Sequence, residues 1–275
     1  MVRRITVICA AFAILAAGQA SATTIIDLTT AGATSTQTAD IGGSFTVTQI
    51  SPQSTGTGVI DSFLRIQQNG EERGYNTSTG TPLDDKSGTF TRALSLSEIP
   101  IVNLGGTDYY QFMLDINQNG TELLSLNQIQ IFQSTTDPTG YTSLTEATAG
   151  SDALISFAGA TEVFRMDSLA NNYEIKMDYS LNSGSGSGDM FLYVLKSSFT
   201  GAGDFVVLFS QFGAPPGSWS SNDGFEEWAV LKSSITQCVS GDCTINATPE
   251  PASLLLLGTG LGLVARRVRR TKKAN

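Results

Sequence analysis

The sequence predicts an all-β protein: a single antiparallel β-sandwich domain of jelly-roll type, followed by one C-terminal transmembrane helix. Three observations carry the sandwich. Apolar residues between Thr23 and Thr248 arrive in short runs, and turn residues such as Asn69-Gly70, Gly105-Gly106 and Asn119-Gly120 separate them. No long stretch in that interval joins a helical period to a capping box. Many short strands with polar turns build sandwiches and jelly rolls rather than alternating β/α units.

The clearest strand is Tyr173 to Leu181, where Tyr173, Ile175, Met177, Tyr179 and Leu181 alternate with Glu174, Lys176, Asp178 and Ser180. Period two at that length gives one buried face and one wet face. Further strands are expected at Phe45 to Ile50, Val59 to Gln67, Thr89 to Leu96, Tyr109 to Ile116, Gln128 to Phe132, Ala153 to Phe157 and Thr161 to Met166. Met190 to Leu195, Phe205 to Phe212 and Glu226 to Leu231 complete the set. Glu122 to Ile131 is ambiguous between helix and strand, and the Thr- and Ala-rich stretch Asp27 to Asp40 reads as a loose strand or a linker. There is no repeat of fixed period, which argues against a solenoid.

The two ends carry their own logic. Arg3 and Arg4 precede an apolar run from Ile5 to Ala17 and a small-residue ending, Ala20-Ser21-Ala22. That order is a secretory signal peptide with cleavage expected after Ala22, and the run falls short of the ~20 residues a spanning helix needs. At the other end Pro249-Glu250-Pro251 leads into an apolar stretch from Ala252 to Ala265, then Arg266, Arg267, Arg269, Arg270, Lys272 and Lys273. In lipid the backbone must satisfy its own hydrogen bonds, so the stretch is expected to be a short helix, with the cations held on the cytoplasmic side. The expected plan is a signal peptide at 1–22, a β-sandwich ectodomain at 23–236, a linker at 237–248 and a tail at 249–275.

This ordered tail resembles the PEP-CTERM sorting signal, a tail type that also appears as a domain at the C-terminus of ice-binding proteins. The resemblance implies processing by an exosortase-type membrane enzyme in a Gram-negative bacterium that makes extracellular polysaccharide. Pro249, Glu250 and Pro251 would be the recognised tripeptide. Two prolines fix φ and cannot donate, which leaves an extended segment just outside the membrane. It further implies a membrane-anchored precursor that ends at the cell surface or in the extracellular matrix.

Between residues 23 and 248 there are 8 Lys and Arg against 24 Asp and Glu, since two of the 16 cations precede that interval, six follow it, and of the 25 acids only Glu250 lies outside. The resulting formal charge of 8 − 24 = −16 repels nucleic acid and anionic lipid and favours cations as partners. Cys238 and Cys243 flank a Gly-Asp turn and are expected to close a small disulfide loop in an oxidising compartment. Its short span limits the stabilisation to about 2 kcal/mol.

The chain contains no histidine, which excludes Ser-His-Asp and Cys-His catalysis and histidine-based zinc sites. Carboxylate chemistry remains, but the adjacent pairs Asp84-Asp85 and Glu226-Glu227 would face opposite sides of a strand, so an acid-pair glycoside hydrolase would need acids distant in sequence. Asp115, Asn117 and Asn119, followed by Gly120, match the opening of a calcium loop. The match then fails, because Leu126 stands where a bidentate Glu is needed, so a strand ending in an Asn-Gly turn is the simpler reading. Trp219, in the loop Ala214 to Trp219, and with it Trp228, Tyr75 and Tyr109, are candidates for stacking on sugar rings, with core or turn packing the simpler reading for each and the loop context favouring Trp219 most. The expectation is a non-enzymatic, structural or adhesive envelope or matrix protein without an obligatory cofactor. Its alternatives are a carbohydrate- or calcium-dependent matrix-binding module and an acid-pair hydrolase.

Overall fold

The computed structural model describes residues 23–50, 60–80, 82–86, 88–119, 123–138, 143–146, 153–167, 172–184, 186, 188–214, 218–222 and 224–232. The expected signal peptide, Cys238 and Cys243, the linker and the whole tail with its predicted transmembrane helix lie outside them. No helix among the described residues is long and apolar enough to cross a membrane. Those residues form strands joined by turns and by three short 3-10 segments, Leu96–Glu98, Tyr179–Asn182 and Lys196–Ser198.

In chain order the strands are β1 (Thr23–Asp27), β2 (Thr34–Thr38), β3 (Ser44–Gln49), β4 (Ile60–Ile66), β5 (Asn69–Gly70), β6 (Glu72–Tyr75), β7 (Leu94–Ser95), β8 (Ile101–Leu104) and β9 (Thr107–Asp115). They continue as β10 (Leu123–Ser134), β11 (Ser143–Glu146), β12 (Ala153–Ser156), β13 (Thr161–Arg165), β14 (Asn172–Asp178), β15 (Met190–Leu195), β16 (Phe205–Phe212), β17 (Ser221–Asn222) and β18 (Glu226–Leu231).

Two seven-stranded sheets organise them. One runs β1-β14-β10-β16-β6, with β13 beside β10 and β7 beside β16; the other runs β2-β3-β15-β9-β18-β4, with β8 beside β9. Their inner faces share one apolar core that takes Ile175, Leu126 and Leu208 from the first sheet and Val47, Phe112 and Trp228 from the second. Edge-to-face rings link the sheets directly, with Phe45 of β3 at 5.5 Å from Phe164 of β13. Trp228 is fully buried and its Nε1–H donates to Ser210 Oγ of β16 at 2.9 Å, so the largest core side chain leaves no polar atom unpaired. On the outer face of the first sheet the hairpin β11–β12 covers Phe132, Val207 and Phe209 through Ile155 and Ala153. The Gln130 amide fixes that hairpin, since its Oε1 accepts from Ile155 N at 2.9 Å and its Nε2 donates to Ile155 O at 3.2 Å.

The structure corrects several expectations. One of the two sheets is mixed rather than purely antiparallel, because β1 pairs with β14 in parallel. The stretch Asp27 to Asp40 holds β2, whose Thr, Ser and Gln residues pair along β3 as an edge with no apolar signal. Of Thr89 to Leu96 only Leu94–Ser95 pairs. The period-two strand stops at Asp178, where the carboxylate accepts from Ser180 N and starts a 3-10 turn. On its expected wet face Glu174 is buried, accepting from Ser125 Oγ at 2.5 Å. The ambiguous stretch Glu122 to Ile131 is strand from Leu123 on. A bulge between Leu126 and Gln128 adds one residue, so the core positions Leu124, Leu126, Ile129 and Ile131 are spaced two, three and two apart. That spacing fits neither a strand nor a helix template.

Replacing Trp228 with Ala should lower unfolding free energy by about 3–5 kcal/mol in urea melts, whereas Ile25→Ala, on the exposed side of β1, should change it by less than about 0.5 kcal/mol.

Candidate functional site

The core closes at one end on acids instead of apolar side chains. Along β18 the residues sharing the core side are Glu226, Trp228 and Val230, so Glu226 takes a position where the pattern calls for an apolar residue. Opposite it, β6 turns Glu72 and Gly74 inward and places Tyr75 in the outer cluster. The pairing of β17 with β5, Ser221 with Gly70 and Asn222 with Asn69, draws the two chain segments together. The third contributor is the chain leaving β9. Asn119 N donates to Asn222 Oδ1 at 2.5 Å, and the carbonyl of Asn117 lies where a Cβ on Gly224 would approach to 1.4 Å. Only glycine at 224 permits that approach.

Glu72 and Glu226 are both 0% exposed and lie within hydrogen-bonding reach of each other. Gln118 Nε2 donates to Glu226 Oε1 at 2.5 Å, and Gln68 N donates to Glu72 Oε2 at 2.8 Å. Burial pushes the Glu226 carboxyl well above the usual range, and the neighbouring Glu72 pushes it further. Burial also raises Glu72, against the lowering effect of the hydrogen bond from Glu226. The two carboxyls therefore hold a proton where two exposed acids would hold none.

Glu227, next along β18, faces the other side, as alternation requires. Arg65 Nε donates to Glu227 Oε2 at 2.7 Å, and Arg65 Nη2 and Ser62 Oγ also bond this carboxylate. The Arg65 guanidinium lies over Phe90 and Phe225, 3.5 and 4.3 Å from the ring centroids, which holds it flat against the carboxylate. Asp84 and Asp85 diverge in the same way. Asp84 Oδ2 accepts from Arg73 N at 2.9 Å. The Asp85 carboxyl lies against Gly74, so close that a Cβ there would sit 1.7 Å from Oδ1. Burial drives Asp85 up to about 9, against a lowering contribution from the Tyr75 backbone N–H.

The expected calcium residues are held by different neighbours. Asp115 Oδ2 accepts from Gly186 N at 2.5 Å, and burial raises its carboxyl to about 6. The backbone of Asn117 belongs to the Glu226 cluster, and Asn119 is tied to Asn222. Among the described residues no group of three or more His, Cys, Asp or Glu side chains is arranged to hold a metal ion. Asp189, at the end of the Asn182 to Asp189 loop that reads as a weaker calcium candidate, is 3% exposed and accepts from Ile116 N through Oδ2 at 2.7 Å. Trp219 is half-buried, its N–H bonded to Ser125 Oγ at 2.8 Å and its ring covered on one face by Lys176 Nζ at 4.4 Å. Tyr75 is buried with Trp228, while Tyr109 is half-buried. Pro249, Glu250, Pro251, Cys238 and Cys243 fall outside the described residues.

These features define a β-sheet protein with an acidic interior seam. Comparison adds what the seam does not: the PEP-CTERM protein-sorting motif matches residues 247–270. The chain carries that motif, which marks an exported, membrane-anchored precursor of a Gram-negative bacterium, handled by an exosortase-type enzyme. No curated protein and no solved structure matches the chain.

Asp85 holds its proton in the folded state up to about 9 but releases it in the unfolded chain near 3.8. Stability from this group is full below pH 4 and is lost as pH rises toward 9, because the folded state binds more protons across that window. Melting temperature measured from pH 5 to 9 should fall with pH, and Asp85→Asn should flatten the slope. In denaturant melts Gly224→Ala should destabilise by about 1–3 kcal/mol, since its Cβ has no space beside the Asn117 carbonyl.

Proposed function

We propose that the protein is a non-enzymatic, structural or adhesive component of the cell envelope or extracellular matrix, delivered there through its sorting motif. The observation that carries this reading is the motif at 247–270 placed behind a closed β-sheet domain. In this account residues 1–22 are removed, the ectodomain is a jelly-roll-like sandwich over 23–236, and Ala252 to Ala265 forms a short transmembrane helix. Cys238 and Cys243 close a disulfide loop just ahead of it. The exosortase-type enzyme then cuts near Pro249-Glu250-Pro251 and passes the ectodomain to a polysaccharide-rich surface.

Two observations support a role without catalysis. The chain has no histidine, and the sequence-distant pair Glu72 and Glu226 is fully buried, with no face open to a glycoside. The acidic surplus supports a partner or matrix reached through cations rather than nucleic acid.

Changing Pro249, Glu250 and Pro251 together to alanine should leave the precursor in the inner-membrane fraction and deplete the surface form, as read by fractionation and immunoblot. Unchanged surface delivery of this variant would remove the proposed route.

A further inference from the structure

On one side of the sandwich a single short stretch of chain closes the edges of both sheets. β6 ends the first sheet and β4 ends the second, and an edge strand leaves every second N–H and C=O without a ladder partner. Residues 82–86 serve both edges. On β6 the Arg73 carbonyl accepts from Asp84 N at 3.0 Å and the Arg73 N–H donates to Asp84 Oδ2 at 2.9 Å. On β4 Gln67 N donates to Asp84 O at 3.2 Å and the Arg65 carbonyl accepts from Lys86 N at 2.9 Å. This strap is strained, because Leu83 has φ 71°, the left-handed region that a bulky side chain avoids.

Between those bonds Asp85 turns inward, 4% exposed, into a notch made by Gly74. A Cβ at 74 would come within 1.7 Å of Asp85 Oδ1 and 3.1 Å of Ile66 Cγ1, yet Gly74 does not have a positive φ, so the seated carboxyl rather than the path of the chain requires glycine there. The Tyr75 N–H bonds the carboxyl. The titratable groups on the surrounding elements are Asp84 and Lys86 of the strap, Glu72 on the inward side of β6, and Glu226 of β18, paired with Ile66. Arg65 of β4 is turned to Glu227 instead. The charge that acts on Asp85 is that of Asp84, of the same sign, so the notch accepts a neutral acid and disfavours a carboxylate.

We propose that residues 82–86 form a proton-locked strap: with Asp85 neutral the strap is seated in the Gly74 notch and covers the β4 and β6 edges, and with Asp85 ionised it lifts and leaves both edges open to strand pairing. The device is local. Ahead of the strap the Asn76 side chain is buried and bonded to Arg92 O, Val206 O and Leu208 N, and behind it Arg92 N donates to Phe63 O, so 82–86 lift between two fixed footings. Seated, Asp85 keeps its proton up to about 9, and lifted it releases it near 3.8, so between those values each pH unit upward favours lifting about tenfold.

The test is amide hydrogen exchange on the full chain from pH 5 to 8, read as protection factors so that the intrinsic pH dependence of exchange is divided out. The amides of Gln67, Asp84 and Lys86 should lose protection by roughly tenfold per pH unit, and should stay less protected than those of β15 and β16 throughout. In Asp85→Asn strap protection should not vary with pH. Gly74→Ala, whose Cβ fills the notch, should strip protection from the strap already at pH 5 with near-UV circular dichroism unchanged, and it decides the matter with the unsubstituted chain if Asp85→Asn does not fold. The proposal is overturned by strap protection that is constant with pH in the unsubstituted chain, by a fall that persists in Asp85→Asn, by strap protection as high as that of the core strands, or by strap protection in Gly74→Ala equal to that of the unsubstituted chain at pH 5.

Discussion

The structure depends on closing one sheet over the other. Each sheet presents an apolar inner face that is unstable in water, and only the shared core, with Trp228 and Phe112 on one side and Ile175 and Leu208 on the other, removes both from solvent. Everything polar that enters this space must be accounted for. The Trp228 indole N–H finds Ser210, and Gln130 serves the hairpin on the outer face. The seam at Glu72 and Glu226 is one place where closure leaves acids inside, and with the buried Asp85 and Asp189 it makes the fold respond to pH.

Acids buried without cations change what acidification does to this domain. In most proteins paired carboxylates make the folded state prefer neutral pH. Here Asp85, Asp189, Glu72 and Glu226 are all raised chiefly by loss of solvation, so the folded state holds protons that the unfolded chain gives up. The surface carboxylate Asp27 goes the other way, lowered by bonds from Thr29, but it is exposed and its leverage is small. The balance of charge in the sequence, 24 acids to 8 cations over residues 23–248, leaves too few cations to pair every acid.

Much of the fold was legible in the sequence, for physical reasons that also explain the failures. Met190–Leu195, Phe205–Phe212 and Glu226–Leu231 match their expected bounds to the residue because each holds a cluster of apolar and aromatic residues with turn residues near at least one end. The strand β10 hid behind its bulge, and β2 hid because an edge strand of Thr, Ser and Gln carries no apolar period. The site was less legible. Glu226 could have been noticed as an acid in register with Trp228 and Val230, a polar residue on a core face. Glu72 gave no such signal, since Glu71, Glu72 and Arg73 look like a solvated turn, and only the inward turn of β6 beside Gly74 buries it. Pairing of residues this far apart in sequence is a product of topology, which local pattern does not encode.

Closure of the sheets and delivery through the tail belong to one history on the proposed route: a domain without histidine and with few cations would fold outside the cytoplasm and then be released from a basic, apolar tail. The most direct test of that history is the intact mass of the protein recovered from the exterior of its native cells. A chain that begins at Thr23 and ends near Pro249 to Pro251 agrees with it. A chain that retains Met1 and Asn275 and is found in the cytosol contradicts it.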